Sequence, residues 1–457
     1  MTTASSADAL VGTKHRGSHW IDDWRPEDPE FWETTGKAVA RRNLIFSVAS
    51  EHIGFSVWSL WSVLVLFLGP DYGFNPAQKF LLTALPTLVG SILRIPYTFA
   101  VARFGGRNWT VISALLLLIP TVLIAIVLVP GVSFSTLLIV SLFAGVGGGN
   151  FASSMANINA FFPARLKGWA LGINAGGGNL GVPVVQLVGL LVLATLGTQY
   201  PRAMVAIYIP LIVLVSALAW FRMNNLTAAH NPKGAIREVM RHRQTWLISL
   251  LYIGTFGSFI GFSFAFGQVL LVQFPTLFPN PAKAAAITFL GPLLGSLIRP
   301  VGGALADRYR GSVVTFVNFI AMGLGAAIVL AASQLESLPT YVLGFVLLFV
   351  FSGIGNGSTY KMIPAIFHAK AQLDSAAGMP VTTADGLAIR RSGALIGLAG
   401  AIGAFGGVLV NLAFRQSFLT WGNGDGAVVA FIVFYAICCL VTWMAFLRRS
   451  PGRLEGV

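Results

Sequence analysis

The chain repeats one pattern twelve times: a continuous apolar run of about 20 residues or more, the length a helix needs to cross the ~30 Å hydrocarbon core of a bilayer. The runs lie near 43–69, 80–101, 109–128, 135–159, 168–197, 203–221, 245–274, 285–306, 312–333, 339–367, 392–414 and 426–447. Stretches such as LVLATLG and VLLFVFSG are unbroken and lack the alternation of a transmembrane barrel strand, so they read as helices. With 55% hydrophobic and 10% charged residues and a mean hydropathy of +0.76, there is too little charge to cover a water-soluble globule. The reading is an all-α membrane protein of 12 transmembrane helices, with the lipid bilayer as its solvent.

Residues 1–42 mix acidic and basic side chains and lack the charged, apolar and cleavage regions of a signal peptide, so the first helix is expected to be retained. Placing the N-terminus inside puts 23 of the 30 Lys and Arg in cytoplasmic segments. Only Lys79, Arg202, Lys283 and Arg415 then fall in outer loops, and Arg94, Arg299 and Lys361 fall within spans. Positively charged loops stay cytoplasmic, so both termini are expected there. The same bias accounts for the net charge of +14 and calls for no nucleic acid. Cys438 and Cys439, neighbours in the last span, read as packing residues rather than a structural disulfide.

The chain also repeats at a larger scale. GSILRIPYTFAVARFGGR (90–107) recurs as GSLIRPVGGALADRYRGS (295–312) at an offset of 205, pairing Gly90 with Gly295, Arg94 with Arg299 and Arg103 with Arg308. FAGVGGGNFASSM (143–155) likewise pairs with FSGIGNGSTYKM (351–362), the fourth helix with the tenth. The expected organisation is a cytoplasmic N-terminal segment 1–42, a six-helix half 43–221, a cytoplasmic linker 222–244, a second six-helix half 245–447 and a cytoplasmic tail 448–457. Two parallel six-helix repeats with a site near mid-membrane between them resemble a major-facilitator transporter. The loop ADRYRG (306–311) is similar to that superfamily's signature, although the first half carries Ala102 in place of the acid.

An ionisable residue deep in a spanning helix is costly unless it faces a cavity or a partner. Arg94 and Arg299 each stand about seven residues from the cytoplasmic end of their span, roughly 10 Å inside. A single arginine at that depth could snorkel to the interface. Two at equivalent positions of the halves would face one another across the pseudo-twofold axis, which points to a central anion clamp. Guanidinium is a planar fork that keeps its proton, and a pair suits a small planar oxyanion.

Glycines at four-residue spacing concentrate in helices 4, 5, 10 and 11: Gly145 and Gly149, Gly172 and Gly176, Gly177 and Gly181, Gly353 and Gly357, Gly403 and Gly407. That spacing lets helix backbones approach closely, either for packing or for gating around a shared cavity.

DWRPEDPEFW (23–32), GGNFASSMANINAFFP (148–163), LGINAGGGNLG (171–181), LYIGTFGSFIGF (251–262) and GNGSTYKMIPAIF (355–367) resemble the nitrate/nitrite porter family, most of all its bacterial exchangers. The resemblance runs from about residue 20 to 447. It implies transport of nitrate and nitrite across the bacterial cytoplasmic membrane by a functional monomer. It further implies that Arg94 and Arg299 bind the anion, that Phe151 and Phe256 sandwich it, and that Tyr252 and Asn179 lie at the pocket and donate hydrogen bonds. On physical grounds alone a Phe or Tyr in a spanning helix more often packs.

The exchangers keep their pocket largely free of titratable groups, yet SVASEHIGFSVWSLW (47–61) places Glu51 and His52 within the first span, and Lys361 lies in the tenth. Two readings follow. Glu51 forms an ion pair with Lys361 or an arginine that balances charge, or Glu51 or His52 carries a coupled proton. A pocket with only fixed positive charges should resist returning empty and so exchange one anion for another, whereas a proton taken up at Glu51 or His52 would allow nitrate/proton symport. The sequence permits both, and the resemblance to the exchangers implies nitrate/nitrite antiport, with symport as the alternative. An enzyme is not expected. His15, His19, His52, His230, His242 and His368 show no paired ligand spacing, no phosphate-binding loop is present, and no metal or cofactor is implied. No signalling domain is expected in residues 1–42 or 448–457.

Overall fold

The computed structural model describes residues 19–227, 234–448 and 457. Parts of the N-terminal segment 1–42, the linker 222–244 and the tail 448–457 lie outside the described residues. Among the described residues, twelve helices are long and apolar enough to cross a membrane: α1 (Pro29–Phe67), α2 (Pro76–Phe104), α3 (Gly106–Val127), α4 (Phe134–Phe161), α5 (Ala164–Thr195), α6 (Arg202–Arg222), α7 (Arg243–Gln273), α8 (Pro281–Tyr309), α9 (Gly311–Gln334), α10 (Leu338–Ala376), α11 (Val381–Trp421) and α12 (Asp425–Leu447). They form two six-helix halves.

Several helix starts follow from local chemistry. Asp28 accepts from the Glu30 and Phe31 amides ahead of Pro29, so α1 begins before the first apolar run. Asn75 and Gln78 cap each other's backbone at the start of α2. Both α10 and α11 outrun their apolar stretches, because their linker-end turns carry the charged residues Lys370, Asp374, Arg390 and Arg391 and find partners there.

Glycine governs the closest helix crossings. A Cβ at Gly148 in α4 would lie 2.7 Å from the Gly90 Cα in α2, and one at Gly357 in α10 would lie 2.7 Å from the Gly303 nitrogen in α8. These two crossings hold the helices that carry Arg94 and Arg299. Of the spaced glycines, Gly145, Gly149, Gly177, Gly181, Gly353, Gly357, Gly403 and Gly407 each meet a neighbouring helix. Gly172 and Gly176 do not. Nothing lies within 4 Å of a Cβ at either, and both face a cavity, so close packing is the wrong reading for that pair.

The halves join at one end of the bundle and part at the other. Away from the linker, Thr83 of α2 donates to Asn411 of α11 at 2.7 Å, Gln186 of α5 donates to the Ser263 carbonyl of α7 at 2.8 Å, and Phe80 stacks on Phe414 and Phe418. At the linker end a cavity of about 1080 Å³ separates them, running from Arg94 and Arg299 to Lys167, Asp307, His368 and Asp385 at the helix ends.

The linker is anchored to both halves. Asn225 and Leu226 pair with Trp20 and Ile21, and the Asn224 amide donates to Asn43 of α1 at 2.8 Å. Further along, the short helix Ala235–Val239 docks on α11 through Glu238, which meets Arg391 at 2.7 Å and Arg390 at 3.5 Å, and His242 just beyond it meets Lys370 of α10 at 3.0 Å.

Candidate functional site: a buried arginine pair at the cavity head

Arg94 and Arg299 are 0% and 7% exposed. Arg94 donates from Nε to the Gly148 carbonyl of α4 at 3.2 Å and from Nη1 to the Gly400 carbonyl of α11 at 2.9 Å, so its fork bridges the halves. Its Nη2 has no partner. Arg299 donates from Nη2 to the Tyr252 hydroxyl at 3.4 Å, and its Nη1 has no partner. No carboxylate pairs with either guanidinium among the described residues. Two buried cations without counter-charge make a site for an anion, since an uncompensated charge in the interior is expensive.

Aromatic rings surround this pair. Arg94 Cζ lies 4.6 Å from the Phe151 centroid, 4.9 Å from Phe256 and 5.4 Å from Trp58, within cation–π reach of each. Phe256 stacks on Tyr252 at 5.2 Å. Both ride on an irregularity in α7, where the π-helical turn Ile253–Gly257 follows Tyr252 and a Cβ at Gly257 would come 2.7 Å from the Gly406 Cα of α11. Phe151 and Phe256 face each other 6.2 Å apart at 28°. A flat anion needs two contact gaps of roughly 3.5 Å, so the rings must part by about 1 Å to admit one between them.

The residues singled out from sequence divide by position. Arg94, Arg299 and Phe151 line the cavity, whereas Tyr252 and Phe256 stand behind them in contact with the arginines. Asn179 is buried at the interruption of α5, its amide without a partner, and it is not on the cavity lining.

The ion pair expected between Glu51 and Lys361 is absent. Lys361 Nζ sits 2.8 Å from both carboxylate oxygens of Asp307, and both side chains are exposed toward the cavity mouth. Asp307 belongs to α8 but falls just past its apolar run, which hid it from a hydropathy boundary. Glu51, 1% exposed, pairs with no cation. Its Oε2 accepts from the Ser154 hydroxyl and, at 2.7 Å, from the Asn174 amide, while Oε1 has no partner. A side chain at Gly178 would run into this carboxyl. His52, next along α1, also faces α5, its Nδ1–H donating to the Gly177 carbonyl at 3.1 Å.

Sequence reasoning missed Trp58, Ser154, Asn174 and Tyr360. Tyr360 lies within GNGSTYKMIPAIF and lines the cavity below Arg299, whose Cζ is 5.6 Å from its ring. A tyrosine beside a charged residue in a spanning helix was the available signal.

Paired six-helix halves, a charged cleft between them and access from one end only define a secondary transporter. Residues 52–388 match the model of the Major Facilitator Superfamily, and the chain belongs to that superfamily of transporters, which are not enzymes. It is similar to the nitrate/nitrite transporter NarU of Salmonella typhimurium, 39% identical over 94% of this chain and 97% of the relative. It is also similar to the probable nitrate/nitrite antiporter NarK2 of Thermus thermophilus, 33% identical over 95% of this chain and 98% of that one. Among solved structures, the xylose transporter XylE of E. coli shares the fold with a TM-score of 0.67 at 14% identity, covering 91% of this chain and 99% of that one.

Proposed function

We propose that this chain moves nitrate and nitrite across the bacterial cytoplasmic membrane by alternating access, as a monomer with both termini inside, and that it exchanges one anion for the other. The observation that carries the reading is the arginine pair, two buried guanidinium groups from equivalent helices, each with an unpartnered nitrogen. Similarity to nitrate/nitrite transporters over most of the chain supports the choice of anion. Arg94, Arg299 and Tyr252 hold the oxygens, Phe151 and Phe256 part to flank the plane, and Asn179 backs the pocket. Exchange follows from the charge balance. An empty site would carry two uncompensated cations through the occluded state, so the halves reorient when an anion fills it. In this orientation the cavity faces the cytoplasm.

A second reading, nitrate/proton symport, draws on Glu51, a buried carboxyl held by neutral donors alone. Proteoliposomes loaded with nitrite and diluted into labelled nitrate separate the two readings. Exchange predicts rapid uptake that requires internal nitrite, ignores a pH gradient and is poorly inhibited by chloride, whose spherical charge cannot engage two forks. Uptake into empty vesicles driven by acid outside overturns the antiport assignment.

A further inference from the structure

We infer that Tyr360 is the residue that tells nitrate from nitrite, its phenol O–H donating to the oxygen that nitrite lacks. The inference rests on the substrate reading above and deepens it.

Three donors at the cavity head are unspent: Arg94 Nη2 from α2, Arg299 Nη1 from α8 and the Tyr360 hydroxyl from α10. All three residues line the same cavity. The neighbouring Tyr252 ring is 6.1 Å from that of Tyr360, but Tyr252 stands behind the cavity lining with its hydroxyl held against Arg299 Nη2. Tyr360 is thus the tyrosine on the cavity lining whose hydroxyl has no partner, and its ring is set against Arg299 at 5.6 Å, so an anion held by that guanidinium comes within its reach.

Nitrate presents three equivalent acceptor oxygens in one plane. The two forks satisfy two of them in nitrate and nitrite alike. At the third corner nitrite has only a nitrogen lone pair, set back by one bond length. A donor placed for an oxygen falls short of it, and a buried donor left unmatched is what gives polar sites their discrimination. Arginine is a poor choice for this third contact, because a further fixed charge would hold both anions more tightly without separating them.

The test is Tyr360→Phe in proteoliposomes, with the KM for nitrate and for nitrite measured separately, and with nitrate- and nitrite-dependent thermal stabilisation of the detergent-solubilised protein as a second readout. Phenylalanine keeps the ring against Arg299. The KM for nitrate is expected to rise on the order of 10-fold, as for loss of one hydrogen bond to a charged group, while the KM for nitrite stays within about threefold, and the stabilisation by nitrate alone weakens. Tyr252→Phe, which removes a contact common to both anions, should shift both together. An unchanged nitrate-to-nitrite ratio in folded Tyr360→Phe, or an equal shift for both anions, overturns the inference while leaving the substrate reading intact. Wild-type protein that neither transports nitrate nor is stabilised by it overturns both.

Discussion

Arg94 spends two of its three nitrogens on the backbone and keeps one for the cavity. That division of labour makes the side chain both a strut and a ligand, and it needs the fork. Lysine offers one point donor that cannot hold the Gly148 and Gly400 carbonyls and face an anion together. Arg94→Lys and Arg299→Lys are each expected to lower nitrate kcat/KM by roughly 10- to 100-fold although charge is kept, the scale of one or two lost charge-assisted hydrogen bonds. The measurement is initial exchange rate normalised to folded protein. Near-normal rates in both variants would show that a positive charge suffices. Lys361, by contrast, forms an exposed pair with Asp307 at the cavity mouth, of the kind worth ~0–1 kcal/mol, and carries no comparable role in the clamp.

Among the elements, the linker helix Ala235–Val239 is followed by His242, a group whose charge can change near physiological pH. Lys370 Nζ of α10 donates to His242 Nδ1 at 3.0 Å, which requires a neutral ring. Burial, then the charges of Lys370 and Arg391, push the His242 pKa below its ordinary value, against the weaker opposing pull of Glu238 and Asp374. Arg390 also reaches Glu238. A base whose pKa is depressed by docking stays neutral there after the undocked form has begun to protonate. Docking is therefore at full strength above about pH 6.5, the free histidine value, and weakens as pH falls through it. Hydrogen exchange at 235–242 is expected to quicken between pH 7.5 and 5.5 beyond the intrinsic pH effect, and His242→Gln should flatten that response. A response that survives the substitution would assign the pH dependence to another group.

For the whole molecule, one end is sealed by direct contacts between the halves and the other is held apart by the cavity. Coupling is a property of how that asymmetry inverts. Glu51 sits inside the first half, buried on α1 and held by neutral donors of α4 and α5. A glutamine there keeps an oxygen for Ser154 and Asn174. Under exchange, Glu51→Gln should retain wild-type nitrate/nitrite antiport in proteoliposomes with or without a pH gradient. A wild-type rate that an acid-outside gradient accelerates, lost in Glu51→Gln, would move the protein to symport. Much of this architecture was legible beforehand. Twelve apolar runs determined the helices because lipid leaves the backbone no partner but itself, and the recurrence of Arg94 as Arg299 exposed two halves and placed a charge in each. Only the tertiary structure decided which partner each charge finds. Glu51, Asp307, Lys361 and Tyr360 each sit on helices whose rotation and depth are set by glycine crossings. Pairing depends on distances between helices, about which the spacing along any one of them is silent.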